Sequence, residues 1–210
     1  MKKEDKYIIL MADIIDSRYE DGVELMQSFS RIVRDINNEH GSVLLSPLTI
    51  TLGDEFQGVA ISLAEALSVT IYLEEEIIAR NAGFKMRYAI SEGAIDTSIN
   101  PRSAHGMLGS GLTRTRELLS QLKDSSSRWA IEIFNKEKSR ALSEAFLLYQ
   151  WLVDDWKEKD YELLSAFWRY QDYKKVAEVL NKDVSLMWRR EKSLNLREYE
   201  AIKNVLNYMA

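Results

Sequence analysis

Two aspartates pose the first question. Asp13 sits near the end of an apolar run from Tyr7 to Ile14, and Asp54 sits with Glu55 in the stretch TITLGDEFQG at residues 49–58. That stretch alternates, breaks at Gly53 and alternates again, as two strands around a tight turn do. Two carboxylates ~4 Å apart repel by roughly 1–4 kcal/mol at effective dielectrics of ~80 to ~20. A shared proton, a basic side chain or a divalent cation can offset that repulsion. Mg2+ or Mn2+ between Asp13 and Asp54 would suit phosphate chemistry, because hard cations take one or two carboxylates together with waters and phosphate oxygens. The amides of Ile15 to Arg18 open the next helix, and helix N-termini attract anions. Asp16 and Ser17 read as caps of that helix. A plainer reading stands beside this one. Asp tolerates turn conformations, Asp13 ends a strand, and Glu55 is a solvated neighbour or a supporting group rather than a ligand.

The elements that would position these acids follow from periodicity. Tyr7 to Ile14 is apolar on both faces, like a central strand. Val23, Met26, Phe29, Ile32, Val33 and Ile36 recur at helical spacing, with Gly41 at the expected C-cap. Ser62 and Glu65 form a capping-box pattern that opens a second helix, ended by Gly83. In FKMRYAIS, Phe84, Met86, Tyr88 and Ile90 share one face, with Lys85, Arg87 and Ala89 on the other. A third helix is predicted near TRTRELLSQL, a fifth strand at RWAIEIF, and helix from Lys136 almost to the end. The order β-α-β-β-α-β, then α and β, is the ferredoxin-like arrangement of an α+β fold. In it the first strand lies beside the strand that follows the hairpin, so Asp13 and Asp54 are expected as neighbours at one edge of the sheet.

The tail is read as four short helices. VAEVL-NKD-VSLMWRREK has helix-turn-helix form. Val176, Ala177 and Leu180 would pack inward, and Val184 and Met187 would face the first helix of the pair. Ser185, Arg189, Arg190 and Lys192 would lie outward as candidate DNA-binding residues facing a major groove. The alternative is a dimerisation or docking element anchored by tryptophans, four of which (Trp151, Trp156, Trp168 and Trp188) lie in residues 151–210. The expected division is a ferredoxin-like domain over residues 1–135, a connecting helix over 136–160 and a helical domain over 161–210.

Composition removes several classes. The chain has 46% hydrophobic and 29% charged residues, as ordinary globular proteins do. It has no cysteine, hence no disulfide, thiolate nucleophile or cysteine-based zinc site. His40 and His105 are the two histidines and lie far apart in the chain. No apolar run approaches a membrane span, and the N-terminus does not read as a signal peptide, so a cytoplasmic location is expected. A net charge of -5 argues against a basic nucleic-acid coat. Residues 151–210 carry equal numbers of acids and bases, so that charge belongs to the rest of the chain.

MADIIDSR, then LGDEFQG, then RYAISEGAI resembles the class III nucleotide cyclase and diguanylate cyclase superfamily, which shares a ferredoxin-like core. The resemblance implies Asp13 and Asp54 as side-chain metal ligands, with the Ile14 carbonyl beside them, and a nucleotide on the metals. Candidate nucleotide-binding residues are Asp16, Ser17, Arg18, Gly53, Glu55, Arg114 and Arg116. GDEF matches four letters of the diguanylate cyclase hallmark, with Leu52 in place of its first glycine. In the third helix, Thr113 stands where class III cyclases carry Asn and Glu117 where they carry Arg. Those two departures weigh against the standard cyclase reaction. With the tail, the chain resembles the SatD-like bacterial family, a cyclase-like domain followed by a helix-turn-helix. Three readings follow. One is a regulator that binds nucleotide, metal and DNA. Another is an active metal-dependent nucleotidyl cyclase or transferase. The last is a non-catalytic interaction module. The resemblance also implies a homodimer, because class III cyclases build their sites across two subunits.

Overall fold

The structure, a computed structural model, describes residues 6–15 and 22–210. Its centre is β1 (Lys6–Ile14), buried from Ile9 onward because the sheet continues on both of its edges and both of its faces are covered. The other strands are β2 (Leu44–Ile50), β3 (Glu55–Ala60), β4 (Met86–Ala94) and β5 (Trp129–Glu132), in the order β2-β3-β1-β4-β5. β1 is antiparallel to both β3 and β4, and β5 is parallel to β4. The first four strands therefore have the ferredoxin-like order, with β1 beside the second strand of the hairpin.

Helices α1 (Gly22–His40) and α2 (Leu63–Ala79) cover one face, where Phe29 meets Phe56 and Phe84 with ring centroids 6.2 Å apart. The expected cap of α2 is present, with Ser62 Oγ accepting from the Glu65 amide at 3.3 Å. Two glycines behave otherwise than expected. Gly41 does not take a left-handed backbone, because a short 3-10 turn continues from α1 over Gly41–Val43. Gly83 does (φ +77), but α2 has already ended at Ala79 and Asn81 makes the first left-handed step at φ +47.

The opposite face is covered by α3 (Ser110–Gln121) and the segment 95–109. Three polar groups of the hairpin strands hold that segment. Ser46 donates to the Asn100 carbonyl at 2.5 Å, Thr49 Oγ1 accepts from the Ala104 amide at 2.9 Å, and buried Gln57 donates to the Ala104 carbonyl. α3 lies close against β4, since a Cβ at Gly93 would come within 2.5 Å of the Gly111 Cα. Only glycine at both positions permits that approach.

α4 (Lys136–Asp155) packs on β5 through Trp129 and Phe146, 5.2 Å between ring centroids. The remaining helices are α5 (Glu158–Tyr170), α6 (Tyr173–Val179), α7 (Val184–Ser193) and α8 (Leu196–Met209). One apolar cluster runs unbroken from Leu10 and Tyr88 through Phe146 and Tyr149 to Tyr199 and Leu206. Inside it, Arg128 grips Glu74 at 2.8 and 2.9 Å, Tyr88 donates to Glu74 at 2.8 Å, and Arg128 reaches Asp154 at 3.2 Å. This buried network ties α2, β4 and α4 together. Losing one partner of such a pair costs far more than the pair itself contributes.

Candidate functional site

The site is built at the end of β1. Asp13 lies opposite Glu55 of β3 on one side and opposite Arg87 of β4 on the other. The next amide, that of Ile14, donates to the Asp54 carbonyl at 3.0 Å, so the hairpin turn closes directly onto the strand end. Gly53 makes that turn at φ +83, a backbone that glycine adopts without strain.

Asp13 is 5% exposed, and both of its carboxylate oxygens are taken. Arg87 Nε donates to Oδ1 at 2.8 Å and Nη2 to Oδ2 at 3.1 Å, while Lys123 Nζ stands 3.7 Å from Oδ2. Burial pushes the Asp13 carboxyl up from its ordinary 3.8; Arg87 and Lys123 pull it back, and the Asp54 charge adds to the rise. Of the three ways of offsetting like charges at this spot, the one present is a basic side chain. The donor set does not fit a divalent cation as it stands, because a metal on Asp13 would have to expel a two-pronged guanidinium. Among the described residues, no group of three His, Asp or Glu side chains is arranged to hold a metal ion. The Ile14 residue continues the ladder opposite Met86.

The other predicted residues separate. Glu55 is largely covered, its side chain 12% exposed, and pairs with Arg116 at 2.7 Å while accepting from Thr51 at 3.1 Å. It is therefore covered and paired, and not the solvated neighbour of one expectation. Arg114 turns the other way and forks onto Glu132 at 2.7 and 3.1 Å, with Glu117 at 3.1 Å; these carboxylates push its guanidinium up. Positions 114 and 116 point to different sides of α3, so the two arginines do not form one clamp. Thr113 and Arg116 line an open cavity of about 470 Å3 together with Met11, Gln57, Met107 and Leu112. Leu52, the residue that replaces a glycine in the cyclase pattern, stands at its mouth, 67% exposed. Asp16, Ser17 and Arg18 lie outside the described residues.

In the tail, α6 and α7 are joined by a turn in which Asn181 has φ +50. Ser185, Arg189 and Lys192 are exposed. Ser185 bonds Asp183 at 2.5 Å, Arg189 bonds the Ser185 carbonyl at 3.3 Å, and Lys192 lies 3.6 Å from the centre of the Trp188 ring. Arg190 is not outward as expected. It follows buried Met187 by three positions, shares its face and pairs with Asp160 of α5. Val184 is 46% exposed and does not join Met187 in the core.

Sequence reading missed Arg87, Lys123 and Gln57. For Arg87 a signal existed. It sits on the polar face of the alternating strand, and an antiparallel partner of β1 sets one such residue opposite Asp13. Nothing in the spacing pointed to Lys123, which reaches the site from the turn after α3.

A family model described as the SatD family matches residues 7–208. The chain belongs to the SatD family. No curated protein matches this SatD-family chain. Among solved structures it is similar to a bacterial light-regulated adenylyl cyclase, at 14% identity over 61% of this chain and 76% of that one, with a TM-score of 0.48. It is also similar to the guanylyl cyclase Cya2, at 14% identity over 57% and 71% with a TM-score of 0.42. A third is the monomeric guanylyl cyclase domain of the RhoGC fusion protein from the aquatic fungus Blastocladiella emersonii, at 12% identity over 56% and 75% with a TM-score of 0.40. The ferredoxin-like arrangement of the SatD-family chain rests on its own strand order and not on these likenesses. Among the described residues no helix is long and apolar enough to cross a membrane.

Proposed function

We propose that this chain is a regulatory protein whose cyclase-like site binds a nucleotide without a metal and does not turn it over. The observation that carries the reading is the two-pronged grip of Arg87 on Asp13, backed by Lys123. Two-metal chemistry needs carboxylates free to bridge metals to phosphate oxygens. Here the acid at the strand end is already matched by protein cations, which need not be reloaded with each ligand. The cavity beside it offers an apolar wall from Met11, Met107 and Leu112, and polar groups from Gln57, Thr113 and Arg116. Ligand sites are commonly of this make, apolar with a few convergent polar groups. Arg116 is half-exposed at the cavity and held by Glu55 through both Nη groups, at 2.7 and 3.3 Å, and a guanidinium anchored in this way can also meet a phosphate there.

The test is a thermal-shift panel of purine and pyrimidine nucleotides together with a pyrophosphate-release assay in Mg2+ or Mn2+. At least one nucleotide is expected to raise the melting temperature, since a ligand bound only by the native state stabilises it. Arg116→Ala should reduce that shift, and no pyrophosphate should appear. Steady pyrophosphate release that Asp13→Asn abolishes would favour the enzyme reading instead.

In the same proposal DNA is the partner of the α6–α7 pair, met by Ser185, Arg189 and Lys192 on the exposed face of α7. Binding of this kind weakens with salt, and Arg189→Ala with Lys192→Ala should flatten that dependence. No binding to DNA at low salt would remove this half of the proposal and leave the nucleotide site untouched.

A further inference from the structure

Among the described residues, α4 carries an apolar stripe that the fold leaves exposed. Its inner face, including Leu142, Phe146, Tyr149 and Val153, is buried against β5 and α8. Its outer face shows Leu147 at 48%, Leu148 at 63% and Trp151 at 71% exposure. These positions follow the i, i+1, i+4 spacing of one helix face, so the three side chains adjoin. Single exposed apolar residues need no explanation, but a contiguous group that includes a tryptophan does.

The charges around the stripe say what covers it. Arg140 and Glu144, ion-paired with each other at 2.9 Å, extend it toward the N-terminal end of the helix, and Asp155 closes it at the C-terminal end, so Arg140 would share its charge between Glu144 and the facing subunit. The stripe is complementary to itself when reversed. A two-fold axis passing between Leu147 and Leu148 sets Leu147 against Leu148 of the partner subunit. The same axis sets Arg140 against Asp155 of the partner subunit, at both ends at once, and stands Trp151 beside Glu144 of the partner subunit. An interface between identical copies must be self-complementary in this way. We infer that two copies of this chain associate through antiparallel α4 helices. This surface belongs to α4, which contributes no residue to the cavity lined by Met11 and Arg116, and the inference does not rest on the nucleotide reading.

One helix per subunit makes a small contact. The expected dimer is therefore weak and concentration-dependent, with a dissociation constant on the order of micromolar. Arg140 and Asp155 stand 15 positions apart on one straight helix, about 22 Å. They cannot meet within a subunit, so any coupling between them has to cross the interface.

The experiment is sedimentation equilibrium of the full chain over a range of concentrations. The unmodified chain should show a reversible dimer. Trp151→Glu should leave it monomeric with an unchanged far-UV circular dichroism spectrum. Asp155→Arg should weaken association by roughly three- to tenfold, as two exposed ion pairs turn repulsive. Adding Arg140→Glu to Asp155→Arg should restore it. Because the chain has no cysteine, Leu147→Cys together with Leu148→Cys should also form a disulfide-linked dimer under mild oxidation. A chain that stays monomeric at every concentration would overturn the inference. So would a dimer unaffected by Trp151→Glu, or a charge-reversed pair that fails to recover.

Discussion

At the residue scale Arg87 decides the state of the site, because it grips both oxygens of Asp13. Its guanidinium is mostly buried beside a carboxylate that is more buried still. Removing one member of such a pair strands the other, and costs about 3–5 kcal/mol when both are fully buried. Arg87→Ala is therefore expected to lower stability by about 2–4 kcal/mol at neutral pH, measured by urea unfolding. The pH dependence has a definite sign. Burial holds the folded Asp13 carboxyl above its ordinary 3.8, so this group favours the fold fully below that value and loses the contribution as pH rises through its folded value. Without Arg87 the charged form is disfavoured further. The penalty of Arg87→Ala should shrink on acidification, as Asp13 takes up a proton. A penalty independent of pH would mean that Arg87 acts through packing alone. Asp13 itself was legible in the sequence as an acid ending a buried strand. Its partner was not, because the offset between β1 and β4 decides whether position 85, 87 or 89 faces it, and that register comes from the whole sheet.

At the element scale the governing feature is the crossing of α3 over β4. A Cβ at Gly111 would lie 2.7 Å from Ile9 Cδ1 and 2.8 Å from the Gly93 carbonyl carbon. α3 carries Thr113 and Arg116 into the cavity and Arg114 onto β5, so this glycine contact sets how deep the cavity is. Gly111→Ala is expected to cost about 1–3 kcal/mol by overpacking, although alanine is the better helix former. A neutral or stabilised Gly111→Ala chain would show that α3 can shift at no cost and that the crossing does not define the site. The strands and most helices were readable from periodicity, and the Ser62 cap from its pattern. The segment 95–109 was not, because it has no period. It covers the sheet through isolated polar anchors, Ser46, Thr49 and Gln57, which look like ordinary strand polarity in the sequence.

At the scale of the whole molecule, the sheet and the C-terminal helices share one core. Stacked, edge-to-face and tilted rings run from Tyr88 through Trp129, Phe146 and Tyr149 to Tyr199, and Tyr199 donates to Glu75 of α2 at 2.6 Å. Tyr88 is the neighbour of Arg87 in β4, so the strand whose Arg87 grips Asp13 is built into the same packing that seats α8. That gives the proposed site a physical connection to the tail. The sequence showed the tail's helices and their aromatic richness, but long-range pairs such as Arg190 with Asp160 and Tyr199 with Glu75 have no local signature. The central claim is that protein cations, and not metal ions, complete the site. Calorimetric titration of the nucleotide that gives the largest thermal shift, once with a chelator and once with Mn2+, tests it most directly. Affinities within about threefold of each other are predicted, a difference of under 1 kcal/mol. Binding confined to the Mn2+ titration, or absent from both, would contradict the account.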